Sequence, residues 1–145
     1  MSGRTGGLMG GPLTPTVRLM LLCCVSECPG QMIELRRQAA EFTQWDSFCR
    51  LVINNRVFPT VSQNLSRLGD VADAKTLRLL QAKREQNRLT AMKLMAESIR
   101  ITRRFEEEGI RAISLKGPAL GLEIYGDLSL RASKDLDLLV SPKDV

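Results

Sequence analysis

Two short stretches carry side chains able to do chemistry together: Ser114-Leu115-Lys116-Gly117-Pro118, and Arg131-Ala132-Ser133-Lys134-Asp135-Leu136-Asp137-Leu138-Leu139-Val140. A β-strand sends alternate side chains to one face, so a strand over 136–140 and its approach would project Asp135 and Asp137 together, with Leu136 and Leu138 turned into a core. Two neighbouring carboxylates repel unless a positive charge lies between them. A hard divalent cation, Mg²⁺ or Mn²⁺, meets that need, because Mg²⁺ takes oxygen ligands and is commonly held by one or two carboxylates plus substrate phosphates. Upstream, Gly117-Pro118 reads as a turn into a helix. Glycine admits close ligand approach, and proline is favoured at the first helical position, where its missing N–H costs nothing. Such a helix would aim free N–H groups and the positive end of its dipole at a phosphate beside Gly117. Lys116 and Arg131 stand near enough in sequence to neutralise phosphate charge.

The elements that must position these groups follow from periodicity and punctuation. Ile110, Ala112-Ile113 and Leu115 fit a short strand, 118–125 a short helix, Gly126-Asp127 a turn, and 136–140 a second, more buried strand. Before them, 73–108 runs without Gly or Pro and predicts one long helix. Its apolar stripe is Leu77, Leu80, Met92, Met95, Ile99 and Phe105, with Asp73 favouring the start and Gly109 the stop. Residues 32–68 also read as helical. A break is expected near Thr43, whose hydroxyl would cap the next helix, then a boundary at Pro59 and a short helix closed by Gly69. Trp45, Phe48, Cys49 and Val52 share a helical face, so Trp45 is expected in the core. The Gly/Pro/Thr-rich residues 1–16 read as a disordered leader. The apolar run 17–25 is too short to span a bilayer and no small-x-small cleavage pattern follows it, so it is expected to be an amphipathic helix ended by Pro29-Gly30. The organisation is therefore a leader (1–16), a helical region (17–109), and an α+β part (110–145) of strand-helix-strand order.

Composition removes several function classes. There is no His, which excludes Ser-His and Cys-His nucleophile systems and the commonest general base. Catalysis must run on carboxylates, Lys, Arg and metal. Cys23, Cys24, Cys28 and Cys49 lack the paired spacing of a structural zinc site and are expected to be reduced thiols in a cytoplasmic protein. The net charge of +5 falls wholly before residue 111: residues 111–145 hold five Lys/Arg and five Asp/Glu, leaving 16 against 11 for residues 1–110. That surplus, spread round helices and with aromatics at only 4%, argues against a nucleic-acid platform. No membrane association is expected.

The blocks Leu115-Lys116-Gly117-Pro118-Ala119-Leu120, Leu122-Glu123-Ile124-Tyr125-Gly126-Asp127, Leu130-Arg131 and Asp135-Leu136-Asp137-Leu138-Leu139-Val140 together resemble a bacterial nucleotidyltransferase family of pattern LKG-x-A-L…Y-G…R…D-[IL]-D-L-L-V, similar in turn to the DNA polymerase β-like nucleotidyltransferase superfamily. The resemblance implies the start of a polymerase β-like sheet after a helical region, and transfer of a nucleoside monophosphate from an NTP to a hydroxyl-type acceptor with release of pyrophosphate. It implies Asp135 and Asp137 as catalytic, metal-binding carboxylates and Gly117 as the glycine that receives the triphosphate. Pro118 stands where a serine usually follows that glycine, and Ser129 or Ser133 is the candidate substitute; Lys116 and Arg131 join Gly117 and Ser133 in the expected nucleotide-binding set on charge and proximity alone. A third carboxylate belongs to a later strand in this family, so 110–145 is expected as the N-terminal, incomplete part of the domain. The alternatives are a non-catalytic nucleotide- or protein-binding module of the same fold, such as an antitoxin-like partner, and an all-helical adaptor.

Overall fold

The computed structural model describes residues 12–25 and 29–144. Among them the chain is mostly helical, with one two-stranded antiparallel sheet, an α+β arrangement. Helix α1 (Pro15–Cys24) begins inside the stretch expected as a leader, because Thr14 Oγ1 accepts from the Val17 N–H and Pro15 fits the first turn. The rest of the expected leader, 1–11, lies outside the described residues, as does Cys28. Pro29-Gly30 opens α2 (Pro29–Ala40) and does not close α1, which ends at Cys24.

Helix α3 (Trp45–Asn54) starts from Gln44 and not from Thr43, and no side chain caps it. Helix α4 (Phe58–Ser66) takes Pro59 into its first turn. The turn between them is a Schellman closure: the Arg56 N–H donates to Ile53 O at 3.0 Å and the Val57 N–H to Val52 O at 3.2 Å. The left-handed residue that this closure demands is Arg56, with φ 57°, where glycine is usual. No other non-glycine residue among those described has positive φ.

The core is built by α1 to α4 and the start of the long helix. Leu19, Cys23, Leu35, Phe48, Val52, Val61, Leu65 and Leu80 form one buried cluster. Phe42, Trp45 and Phe48 pack edge-to-face beside it, with centroids 5.0 to 5.8 Å apart. Trp45 is thus half-buried against the core and not inside it, while Phe48, Cys49 and Val52 of the same helical face are buried. Asn64 Nδ2 donates to Cys23 O at 2.7 Å and ties α4 to the end of α1.

Helix α5 (Ala74–Glu107) is 34 residues long, about 50 Å at 1.5 Å per residue. Asp73 caps it by accepting from the Thr76 N–H at 2.8 Å, and Gly109 follows it in the left-handed region. Its buried face differs from the expected apolar stripe. Leu80 is buried, but Met92 and Ile99 are exposed, and the residues actually buried are Thr76, Leu80, Asn87, Ala91 and Ser98. Steps of four and seven keep these five on one side of the helix. Past Leu80 the buried residues are small or polar, and Asn87 among them donates to the carbonyls of a loop packed on this face.

That loop joins the elements after α5: β1 (Ala112–Ser114), α6 (Pro118–Tyr125), a 3₁₀ turn (Leu128–Leu130), and β2 (Leu138–Val140). The strands pair antiparallel with Ala112 opposite Val140 and Ser114 opposite Leu138. Strand β2 is shorter and less buried than expected, since Leu139 and its partner Ile113 are both exposed.

Candidate functional site

Although β2 stops short of Asp137, the ladder does not. The Leu115 N–H donates to the Asp137 carbonyl at 2.9 Å, carrying the register one pair beyond Ser114–Leu138. Two residues further on, Gly117 lies against the other strand: a Cβ there would sit 3.6 Å from the Asp135 carbonyl oxygen and 3.5 Å from Leu136 Cδ2. The two chemistry-bearing stretches, separated in sequence by α6 and the 3₁₀ turn, therefore meet at one end of the sheet. Residues 135 and 139 are exposed while 136, 137, 138 and 140 are half-buried. The alternation expected of an extended segment does not reach back to Asp135, where the chain bends, and the two carboxylates differ in burial; what they share is their place at the Gly117 end of the sheet.

Gly117 has φ 91° and ψ −160°, a backbone region essentially restricted to glycine. It is the N-cap of α6, with Pro118 at the first position. The Gly121 N–H returns to Gly117 O at 3.3 Å, so the N–H groups of Ala119 and Leu120 are the ones without an intrahelical acceptor.

Lys116 Nζ lies 3.4 Å from Asp137 Oδ2, with both side chains well exposed. An exposed pair of this kind contributes at most about 1 kcal/mol, so a stronger ligand can displace it. Asp135 is exposed and joins no ion pair among the described residues. Two carboxylates and one ammonium leave the trio with net charge −1. Their oxygens are the hard donors a divalent cation prefers, and the donor set fits Mg²⁺ or Mn²⁺ completed by water and ligand oxygens. Among the described residues no group of three or more Asp, Glu or Cys converges to hold a metal.

Arg131 and Ser133 are placed differently. Asn87, buried in α5, donates through Nδ2 to Ser129 O at 2.7 Å and to Arg131 O at 3.2 Å. Asp127 fixes the same loop by accepting from the Ser129 N–H at 2.8 Å and Ser129 Oγ at 2.7 Å. The Ser129 hydroxyl bond holds the Asp127 carboxyl below its ordinary range, aided by the Ser129 N–H, Arg84 and Arg88 against a smaller opposing effect of burial. Gly121 permits the close approach of α6, since a Cβ there would lie 3.2 Å from Arg131 Cβ. Ser133 lines a cleft with Arg56, Lys83 and Lys134, on the side of the loop that faces α5.

Lys116, Gly117, Asp135 and Asp137 are thus assembled at one place, Arg131 is anchored through its carbonyl, and Ser133 belongs to the adjoining cleft. Sequence reasoning missed Asn87. An Asn in the middle of a long helix is a poor helix former whose side chain competes for backbone groups, and that is the signal by which it could have been found. It also missed Arg56, Lys83 and Lys134, which carry no local signature.

Burial raises the thiol pKa values of Cys23, Cys24 and Cys49, and none of these three is in a disulfide. Raised thiol pKa values leave little thiolate, the nucleophilic form, at neutral pH. No helix among the described residues is long and apolar enough to cross a membrane.

Comparison with known proteins gives a family but no individual relative. No curated protein and no solved structure matches the chain. Residues 41–145, most of the chain and all of the assembled site, match a family described as "Uncharacterised nucleotidyltransferase". With the geometry of Lys116-Gly117 and Asp135-x-Asp137 beside that match, the chain belongs to this nucleotidyltransferase family.

Proposed function

We propose that this chain binds an NTP with a divalent cation at the Lys116-Gly117 and Asp135-x-Asp137 corner, and that the reaction served there is transfer of a nucleoside monophosphate to a hydroxyl-type acceptor. The observation that carries the reading is the continued ladder, Leu115 N–H to Asp137 O, which brings the glycine turn and the acidic pair together. In this reading β1, α6 and β2 are the opening strand-helix-strand of a polymerase β-like sheet.

Each residue then has a defined task. Asp135 and Asp137 hold the cation. A bound Mg²⁺ or Mn²⁺ supplies charge neutralisation and polarises a phosphoryl oxygen. Gly117, lacking a Cβ, lets phosphate approach the backbone, and the free N–H groups of Ala119 and Leu120 donate to it from the positive end of α6. Lys116 exchanges its weak pair with Asp137 for a phosphate oxygen. Arg131 adds positive charge on a loop that Asn87 and Asp127 keep in place. With no His in the chain, positioning and charge make up the protein's contribution.

One observation favours a second reading, in which the chain holds nucleotide without turnover: no third carboxylate joins the pair among the described residues. The experiment is to incubate the chain with Mg²⁺ and labelled NTPs, following both metal-dependent binding and pyrophosphate release. Asp135→Asn and Asp137→Asn are each expected to weaken metal-dependent binding by roughly tenfold or more, since either removes one of two ligand charges. Binding unchanged in both variants overturns the assignment. Binding that is lost in the variants, with no pyrophosphate released by the parent chain, selects the non-catalytic reading.

A further inference from the structure

The loop that delivers Asp135 has a second face. Between the α3–α4 turn, the middle of α5 and residues 132–134 lies a cleft of about 490 Å³, within the size range of small-molecule sites. Three cations line it, Arg56 from the turn, Lys83 from α5 and Lys134 from the loop, and no carboxylate does. None of the three joins an ion pair among the described residues, so each charge is available to a ligand.

Two further observations point to a ligand. The Ser133 side-chain oxygen is buried and has no hydrogen-bond partner, so this hydroxyl is left with a donor to offer. Arg56 holds its left-handed conformation at the lip of the cleft at a conformational cost that glycine would avoid. Strain of this kind persists where a side chain is needed in place. Ile53 and Phe58 add an apolar wall.

We infer that this cleft binds a small phosphorylated ligand, its phosphate meeting Arg56, Lys83, Lys134 and the Ser133 hydroxyl and its ring or carbon body lying against Phe58 and Ile53. The site is separate from the Lys116–Asp137 corner but adjoins it, because Ser133 and Asp135 are two residues apart, at most about 7 Å of chain. The inference rests on the lining residues alone and does not require the nucleotidyltransferase reading. The phosphate has two possible bearers, the acceptor or the nucleotide, and the test separates them.

The test is isothermal titration of the chain with three probes in EDTA: inorganic pyrophosphate, ribose 5-phosphate and ATP. At least one probe is expected to bind, more weakly as salt rises. Lys83→Gln and Lys134→Gln should each weaken it roughly tenfold, the value of one charge-assisted contact. Arg56→Gly should weaken binding similarly while raising the thermal midpoint, because glycine relieves the left-handed strain; that combination cannot come from misfolding. Asp137→Asn should leave this metal-free binding intact, which keeps the result distinct from failure at the acidic pair. Tighter binding of ribose 5-phosphate assigns the cleft to a phosphorylated acceptor, and tighter binding of ATP assigns it to the nucleotide. Absence of binding by all three probes at millimolar concentration overturns the inference. So does binding indifferent to Arg56→Gly, Lys83→Gln and Lys134→Gln.

Discussion

Asn87→Ala probes the joint on which both faces of the site depend. Asn87 is only 8% exposed, and its Nδ2 donates to Ser129 O and Arg131 O across more than forty residues of sequence. Truncation leaves two carbonyls without their donor; Ser129 is itself 2% exposed, so its carbonyl has little prospect of water. An unsatisfied buried acceptor costs on the order of 1–3 kcal/mol. The better helix propensity of alanine returns about 0.5 kcal/mol, leaving a net loss of about 2 kcal/mol. For a chain of this size that lowers the thermal midpoint by roughly 6 °C. Urea unfolding with a global probe measures the loss. Asn87→Asp should be worse than alanine, because it replaces the donor with a charge facing two carbonyl oxygens. Metal-dependent nucleotide binding should weaken in both variants, as the 131–135 segment loses its anchor. A stability loss under about 0.5 kcal/mol for Asn87→Ala, or an Asn87→Asp variant as stable as the parent, refutes the claim that this side chain holds the loop.

Two further substitutions test the corner itself. Gly117→Ala meets no severe overlap, the nearest atom being Leu136 Cδ2 at 3.5 Å, but φ 91° and ψ −160° should cost it about 2 kcal/mol, and a urea midpoint equal to the parent's would show that the turn relaxes freely. Asp127 gives a pH dependence: its folded carboxyl is more acidic than the ordinary 3.8, chiefly through the Ser129 hydroxyl. Its contribution is therefore complete above that ordinary value and is lost as pH falls through the lower folded value. The parent should be more stable than Asp127→Asn at neutral pH and converge with it as pH falls below the lowered folded value, whereas a difference that grows on acidification contradicts the assigned hydrogen bonds.

What could be read from sequence was whatever depends on neighbours in the chain. The start of α5 at Asp73, its stop at Gly109, helix α6 from Pro118 to Tyr125 and the turn at Gly126 all follow from caps, proline and glycine acting within one helical turn. The need for glycine at 117 is of the same kind, since φ/ψ is a property of one residue and its immediate environment. Local rules failed where a stronger partner lay elsewhere. Gln44 and not Thr43 precedes α3, in a position where its side chain is engaged by Thr16 Oγ1 from α1 at 3.1 Å.

By itself, then, the sequence determined the order of elements, the kinds of donor available and, through the absence of His, the classes of chemistry excluded. Tertiary structure alone decided which side of α5 is buried, that Ser133 faces a cationic cleft while Asp135 and Asp137 sit by Gly117, and that an arginine takes the left-handed position at 56. The physical reason is range. Propensities, caps and turns act over a few residues, whereas Asn87 finds Ser129, and Leu115 finds Asp137, only after the chain has folded back on itself and the burial of polar groups has forced each to take a distant partner.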